Sequence, residues 1–558
     1  MYSLSRLSIK ILFCLFIISC NNEPHADVTE KEIVESPEEI NARVEAIIHG
    51  TLKDILKGSL ELPDSFKIKN AGQVQFLYDQ SSFQPLWSSR GAFNKSADTL
   101  FAFIAGAKSY GLFPEDYYAS KLQRLRNELT DTSAQKKLDA SLWAYSDMLL
   151  SSSFIQIIKD LKIGRLLPDS LIAKDSTLTE SFFRDQWARF QSVSSKDFAV
   201  KLEPVHKDYH KLKLALDSFL LRADFRNFTY VSARDSNKLR ALLYRRLLEE
   251  DTVVASMDAP DSLMLVQAIK KYQKKKELKA DGKLSTSLIN RLNNTDQEKF
   301  IRIAINLDRY KQLQPLPEQY LWVNIPGYYL ELRNGDSVDL KSKVVVGKPN
   351  TKTPVITSAI SDMITYPKWH IPESIIKNEI LPGLKKDRGY TIRKGYTLID
   401  KEGNEIDPYL VDWSKYRTGI PYRVVQGSGD DNALGVLKFN FPNEHAVYLH
   451  DTNQRYLFSR TSRALSHGCV RVQAWNDLAK YILRNDSLHT TNAVPVDSLQ
   501  SWLAQKKKQY IPVRKRIPLF IRYFTCDSGK EGSVVFYEDV YGEDKRIREK
   551  YFINKQIL

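Results

Sequence analysis

The chain has 558 residues, which at ~150 per domain suggests several domains, and its 42% hydrophobic and 11% aromatic content is enough to bury real cores, so wholesale disorder is excluded. Gly (23) and Pro (22) are too few for a collagen-like or low-complexity chain, and no stretch reaches the ~20 apolar residues of a membrane-spanning helix. Lys and Arg (82) outnumber Asp and Glu (67), a formal charge of +15 that suits an anionic partner such as nucleic acid, a membrane surface or a cell-wall polymer without choosing among them.

Residues 1–20 read MYSLSRLSIKILFCLFIISC, with Arg6 and Lys10 as a positive flank, an apolar run over 11–18 and the small Ser19. This is the layout of a secretory signal, too short to span as a mature helix. Its end, Ile17-Ile18-Ser19-Cys20, resembles the lipobox of bacterial lipoproteins. That resemblance implies removal of residues 1–19, a lipid on the Cys20 sulfur and a place on the periplasmic face of a membrane; the alternative is an ordinary cleaved signal with Cys20 incidental. Asn21, where an Asp would favour the inner membrane, points by the same analogy to the outer one. Residues 20–60 begin polar and acidic and read as a tether. Of four cysteines, Cys14 leaves with the signal and Cys20 takes the lipid, so Cys469 and Cys526 remain. An exported chain of this size with two cysteines has no disulfide framework, and at least one is available as a thiol. A Cys469–Cys526 disulfide is the competing reading.

Residues 65–250 read as a helical scaffold. The segment 138–161 (LDASLWAYSDMLLSSSFIQIIKDL) has apolar residues at helical spacing, Gly111 and Pro114 punctuate a helix boundary, and residues 73–91 read as a short helix followed by an extended turn. Residues 261–293 form a compact unit with Leu265, Ile269 and Tyr272 on one helical face, a turn at Asp281-Gly282, and Ser285 or Thr286 as N-cap of the next helix. From about Tyr320 the pattern has period two, with breaks at Pro326-Gly327 and Asn334-Gly335, the latter a hairpin signal. Residues 371–418 interrupt the strands with loop and short-helix character, as a lid does, and Trp369 and His370 at its entry are read as packing residues. Strands resume over 420–472, and after Pro512 one more hairpin is expected, its turn near 529–532.

The sharpest feature is LSHGCVRV at 465–472, preceded by AVYLHDT at 446–452. Strand alternation puts Val447 and Leu449 toward a core and Ala446, Tyr448 and His450 on the other face. A thiol beside an imidazole ionises more readily, and the thiolate is the nucleophile. Asp451 offers a carboxylate or a carbonyl to orient the imidazole, and backbone N–H groups around Gly468 and Cys469 offer an oxyanion site. Spacing alone leaves His450 and His467 equal candidates for the base. A zinc site from His450, His467 and Cys469 is the rival chemistry, but zinc needs a fourth ligand and only Asp451 is near in sequence.

SHGCVR at 466–471 resembles the signature of L,D-transpeptidases of the YkuD fold. YPKWHIPESI (366–375), QGSGDDNALGVLKFNFPN (426–443) and FYEDVYG (536–542) resemble the large lidded subclass of that family. Where a proline is common before the glycine, this chain has QGSG. The pattern AIKKYQ…LKADGKL…LN resembles a peptidoglycan-binding domain, whose face would carry the lysines at 270, 271, 274, 275 and 276. The resemblance implies a multidomain α+β chain: helical scaffold (65–250), small three-helix peptidoglycan-binding module (261–293), mainly β catalytic domain of YkuD-like sandwich type (319–500) with a lid (371–418), and a C-terminal β-hairpin extension (501–558). It implies Cys469 as nucleophile, His450 as proton donor and acceptor, His467 supporting the cysteine loop by hydrogen bonding, Gly468 supplying an oxyanion N–H and Asp451 orienting His450. Tyr448, Arg471, Ser466 and Asn432 would contact substrate. The implied reaction is 3→3 cross-linking of peptidoglycan stem peptides through a cysteine thioester, with L,D-carboxypeptidase or lipoprotein attachment as variants on the acceptor. No metal or organic cofactor is implied, and no nucleic acid. A non-catalytic, wall-anchoring protein is the alternative from another class.

Overall fold

A computed structural model describes residues 32–60, 67–131, 135–166, 177–231, 238–250 and 261–552. The signal and Cys20 lie outside the described residues. Two compact units emerge, one drawn from Met1–Ala102, Tyr117–Gln156 and Leu178–Ser194, the other from Phe103–Asp116, Ile157–Thr177 and Ser195–Leu558.

The first unit is helical, with a two-stranded ribbon at Ser88–Ser89 and Ala92–Phe93. Part of the expected tether is a helix instead: Pro37–Lys57 buries Ile40, Val44, Ile48 and Leu52 and ends at Gly58 in the left-handed conformation. A repeat of four residues places those side chains on one stripe, behind an acidic first turn of Glu38 and Glu39 that gives the segment its polar look by composition. The buried carboxylate of Asp147 accepts from the Tyr78 hydroxyl (2.7 Å), the N–H groups of Leu86 (2.8 Å) and Trp87 (3.0 Å) and the Ser88 hydroxyl (3.0 Å), and so pins the turn before the ribbon.

In the second unit, Ser262–Lys275 and Thr286–Asn293 are helices N-capped by Asp261 and Ser285, whose side chains accept from the N–H groups of Met264 and Leu288. Two helices, not three, lie within 261–293. The third partner is Leu239–Glu249, assigned by sequence to the scaffold: Leu243 and Leu247 share a core with Leu265, Ile269, Leu288, Ile289 and Leu292. Of the five lysines, Lys275 donates to the Glu250 carbonyl (2.7 Å) and Lys276 pairs with its carboxylate (3.3 Å).

The β-rich part is built on an eleven-stranded sheet. Its strands are β1 (Gln319–Asn324), β2 (Tyr329–Asn334), β3 (Ser337–Gly347), β4 (Ile356–Ala359), β5 (Asp362–Thr365), β6 (Leu437–Asn440), β7 (Leu449–His450), β8 (Ala464–Ser466), β9 (Val470–Val472), β10 (Gln509–Pro512) and β11 (Pro518–Arg522). The order is β10-β5-β6-β7-β9-β3-β2-β1-β11-β4, with β8 paired to β3. The β2–β3 turn falls at Gly335-Asp336, between the paired Asn334 and Ser337. β1 is buried on both faces. Leu321 and Val323 enter an aliphatic core with the helix Trp475–His489, while Tyr320 and Trp322 enter an aromatic one with Phe300 and Tyr310 of the helix Asp296–Lys311. Period two is therefore present, but it sorts aliphatic from aromatic rather than apolar from polar.

The C-terminal region is not simply an extension. β10 and β11 are strands of the main sheet, pairing with β5 and with β1 and β4, and only Cys526–Ser528 and Val534–Phe536 make the expected separate hairpin. Residues 371–418 contribute to a substructure of their own. The strands Trp369–His370, Tyr396–Ile399, Glu405–Ile406 and Arg423–Gln426 form a four-stranded sheet, and Ile371, Ile376, Ile380, Leu384, Leu398 and Trp413 fill its core. Among the described residues no helix is long and apolar enough to cross a membrane.

Candidate active site

The elements that carry the motifs are neighbours in the main sheet. β7 runs parallel to β9 with Leu449 opposite Val470 and His450 opposite Arg471, and the Val470 N–H donates to the Tyr448 carbonyl (3.1 Å). Cys469 thus enters β9 beside Tyr448, two residues before the His450–Arg471 pair. Alternation holds from Val447 onward. Val447 and Leu449 are buried in the aliphatic core, and the rings of Tyr448 and His450 sit together on the other face, centroids 5.6 Å apart. Ala446 breaks the alternation with φ +53°. Its carbonyl lies 3.9 Å from the Cys469 sulfur. Asn443 shapes this turn, its Oδ1 accepting from the N–H groups of His445 (3.1 Å) and Val447 (3.0 Å).

Serine and threonine hydroxyls hold the cysteine loop. Ser466 Oγ donates to the Cys469 carbonyl (2.6 Å) and accepts from the Gly468 N–H (3.1 Å). Thr353 Oγ1 donates to the Gly468 carbonyl (2.7 Å) and accepts from the Gly347 N–H (2.9 Å). The Tyr541 hydroxyl donates to the Gly347 carbonyl (2.7 Å) and accepts from the Thr353 N–H (3.1 Å), so FYEDVYG braces the loop from behind. Gly468 adopts φ +121°, a conformation that side-chain-bearing residues rarely reach.

Several sequence expectations change at this point. Ser466 is buried and its hydroxyl is committed to the loop, so it does not face a substrate. Gly468 has its N–H engaged by Ser466 and so does not offer it to an oxyanion. Asn432 is buried as well. Its amide donates to the carbonyls of Gly427 (2.7 Å) and Pro367 (3.2 Å) and accepts from the Leu434 N–H (2.7 Å), which makes it a stitch in the QGSGDDNAL loop. His467 leaves the cysteine loop and meets Glu379 of the inserted segment, Nε2 to Oε1 2.5 Å. Arg471 binds Gln454 Oε1 (2.9 Å) through one nitrogen, while its buried Nε has no partner among the described residues.

Asp451 orients His450, but with its backbone. His450 Nδ1 is hydrogen-bonded to the Asp451 carbonyl, and since a carbonyl only accepts, Nδ1 carries the proton and Nε2 keeps its lone pair. The Asp451 carboxylate works elsewhere. It accepts from the Val436 N–H (3.1 Å) and from Arg455 (3.0 Å), and a Cβ on Gly435 would lie 2.3 Å from Oδ2, so only glycine fits there.

Burial, then the Arg471 charge, pushes the His450 imidazole down to about 3, and it is neutral at ordinary pH. Burial pushes the Cys469 thiol up. The Tyr448 backbone and hydroxyl, Lys438 and Arg471 pull it back down. Lys438 was missed by sequence reasoning. It lies opposite His450 on β6, its ammonium 4.0 Å from the centre of the Tyr448 ring. Its only sequence signal is its place in LKFN, a strand after a glycine-rich loop. Trp369 packs against Tyr396 in the inserted segment, as expected of a packing residue, and also reaches the Tyr448 hydroxyl.

Cys469 and Cys526 are both free thiols, so the disulfide reading fails. Among the described residues no group of three or more His, Cys, Asp or Glu is arranged to hold a metal, and the two histidines of the rival zinc reading point to different partners. A half-buried thiol, a neutral imidazole and two cations on one face can carry nucleophilic acyl transfer.

Two stretches of the chain match known domains. Residues 318–496 match the YkuD L,D-transpeptidase catalytic domain, and residues 72–216 match a scaffold domain. A protein of Haemophilus influenzae (strain ATCC 51907 / DSM 11121 / KW20 / Rd) named "Putative L,D-transpeptidase" is 39% identical over 249 residues, covering 44% of this chain and 48% of that protein. The match thus spans about half the length of the relative. The similarity is thus to the YkuD L,D-transpeptidase catalytic domain over 318–496 and to a scaffold domain over 72–216.

Proposed function

We propose that the chain is an exported, lipid-anchored enzyme that forms 3→3 cross-links in peptidoglycan from the periplasmic face of the outer membrane. The observation that carries the reading is the seating of Cys469 beside Tyr448 on the face that also presents the neutral imidazole of His450. The Cys469 sulfur attacks the carbonyl of a stem tetrapeptide before its terminal D-alanine. The Cys469 N–H receives the oxyanion, and the proton passes to the leaving amine through Nε2 of His450. That nitrogen then takes a proton from the side-chain amine of a second stem as it opens the thioester.

The His467–Glu379 contact supports the reading of 371–418 as a lid over the cysteine loop. The three-helix core of Leu239–Glu249, Ser262–Lys275 and Thr286–Asn293 supports a wall-binding role for that region. The experiment is incubation of the purified full chain with tetrapeptide muropeptides and analysis of the products. Cross-linked dimers are the expected result. Free tripeptide alone would reassign the acceptor to water, and no conversion together with no carbapenem mass adduct on Cys469 would overturn the enzymatic reading in favour of a wall-anchoring role.

A further inference from the structure

The sheet register places three residues in one row across adjacent strands: Lys438 on β6 opposite His450 on β7, and His450 opposite Arg471 on β9. Side chains in such a row share a face. Lys438 lays its ammonium on the Tyr448 ring, and the Tyr448 hydroxyl is hydrogen-bonded to Cys469. Lys438 and Arg471 are both partly buried, and among the described residues neither has a carboxylate at ion-pair distance. A partly buried cation without a counter-ion is costly, and the Cys469 thiol, on which both cations act, can become that anion.

We propose that Lys438 is a positioning residue for Cys469: seated on the Tyr448 ring, it holds the phenol against the sulfur and, together with Arg471, supplies the positive charge against which the thiolate forms. The inference rests on the reading of Cys469 as nucleophile and deepens it. The remaining groups facing the sulfur do not compete for this role. His450 on β7 is neutral, and His467 on the cysteine loop is turned toward Glu379. On β5, Asp362 acts on Lys438 only at range and binds Asn440 (2.5 Å). The cation–π geometry fits a lysine over a tyrosine face, an arrangement that tightens as water is excluded.

The test is the rate of Cys469 alkylation by iodoacetamide, located by peptide mass, across pH 6–10 in the full chain. Lys438→Met is expected to slow alkylation about tenfold at pH 7.5, one pKa unit of thiolate stabilisation, with the curves converging at high pH. Lys438→Arg restores the wild-type curve. A Lys438→Met curve superimposed on wild type overturns the proposal. Should Lys438→Met fail to fold, Lys438→Gln is read in the same way. Alkylation needs no wall substrate, so the result is independent of the muropeptide assay. Altered titration without product formation would defeat the enzymatic reading alone, and product formation with an unaltered titration would defeat only the role of Lys438.

Discussion

The β-rich part of the chain holds two free cysteines in contrasting surroundings. Cys469 sits half-buried at the start of β9, next to the Tyr448 hydroxyl and within the influence of Lys438 and Arg471. Cys526 is fully buried in the aromatic core, its sulfur 3.9 Å from the Arg302 carbonyl. Burial raises both thiols. Around Cys469 everything that follows burial lowers the thiol again, while around Cys526 the carboxylates of Asp527 and Asp544 raise it further against the weaker pull of Arg302 and Arg309. A cysteine becomes a nucleophile through the sign of the charge beside it and an open path to substrate, and burial alone makes it inert.

The contrast breaks most easily at the sulfurs themselves. Cys469→Ala is expected to lower cross-linking by about a thousandfold or more with little change in stability. Cys526→Ala should leave turnover within about twofold and cost about 1–2 kcal/mol in urea unfolding. Equal losses of activity in the two variants would show that the charge pattern does not separate them. A smaller effect is expected from the loop that aims the reactive sulfur. Gly468 holds φ +121°, so Gly468→Ala carries about 1–3 kcal/mol of backbone strain and should lower acylation about a hundredfold by displacing Cys469, measurable as the rate of carbapenem adduct formation. The smallest effect belongs to the exposed His467–Glu379 pair. Glu379→Gln should change unfolding free energy by under about 1 kcal/mol and turnover by only a few-fold, because solvent screens such pairs. A large loss of turnover there would move His467 into the chemistry.

Much of the fold was legible because it is local. Ser285 caps the helix that follows it, and the turn after Asn334 closes its hairpin. Short-range sterics and side-chain-to-backbone hydrogen bonds set these features, and a few adjacent residues encode them. The helix Pro37–Lys57 is hidden in a reading by composition, although its apolar residues recur every four positions. The helix Leu239–Glu249, inside the sequence range of the scaffold, packs with the 262–293 helices, because periodicity marks an apolar face without naming what covers it.

At the site, the primary structure alone determined the reactive types: a cysteine after a glycine, a histidine at a strand end followed by Asp451, and the alternation that put Tyr448 and His450 on one face. Only the tertiary structure decided how those groups are used. It committed Ser466 and Asn432 to the backbone, drew the carbonyl rather than the carboxylate of Asp451 to the imidazole, sent His467 to Glu379, brought Thr353 and Tyr541 behind the loop, and carried Lys438 beside the thiol. It also recruited β10 and β11 into the main sheet. The reason is that strand pairing is selected by burial summed over segments far apart in the chain, and a one-dimensional pattern specifies which side chains share a strand face but not which strand lies alongside.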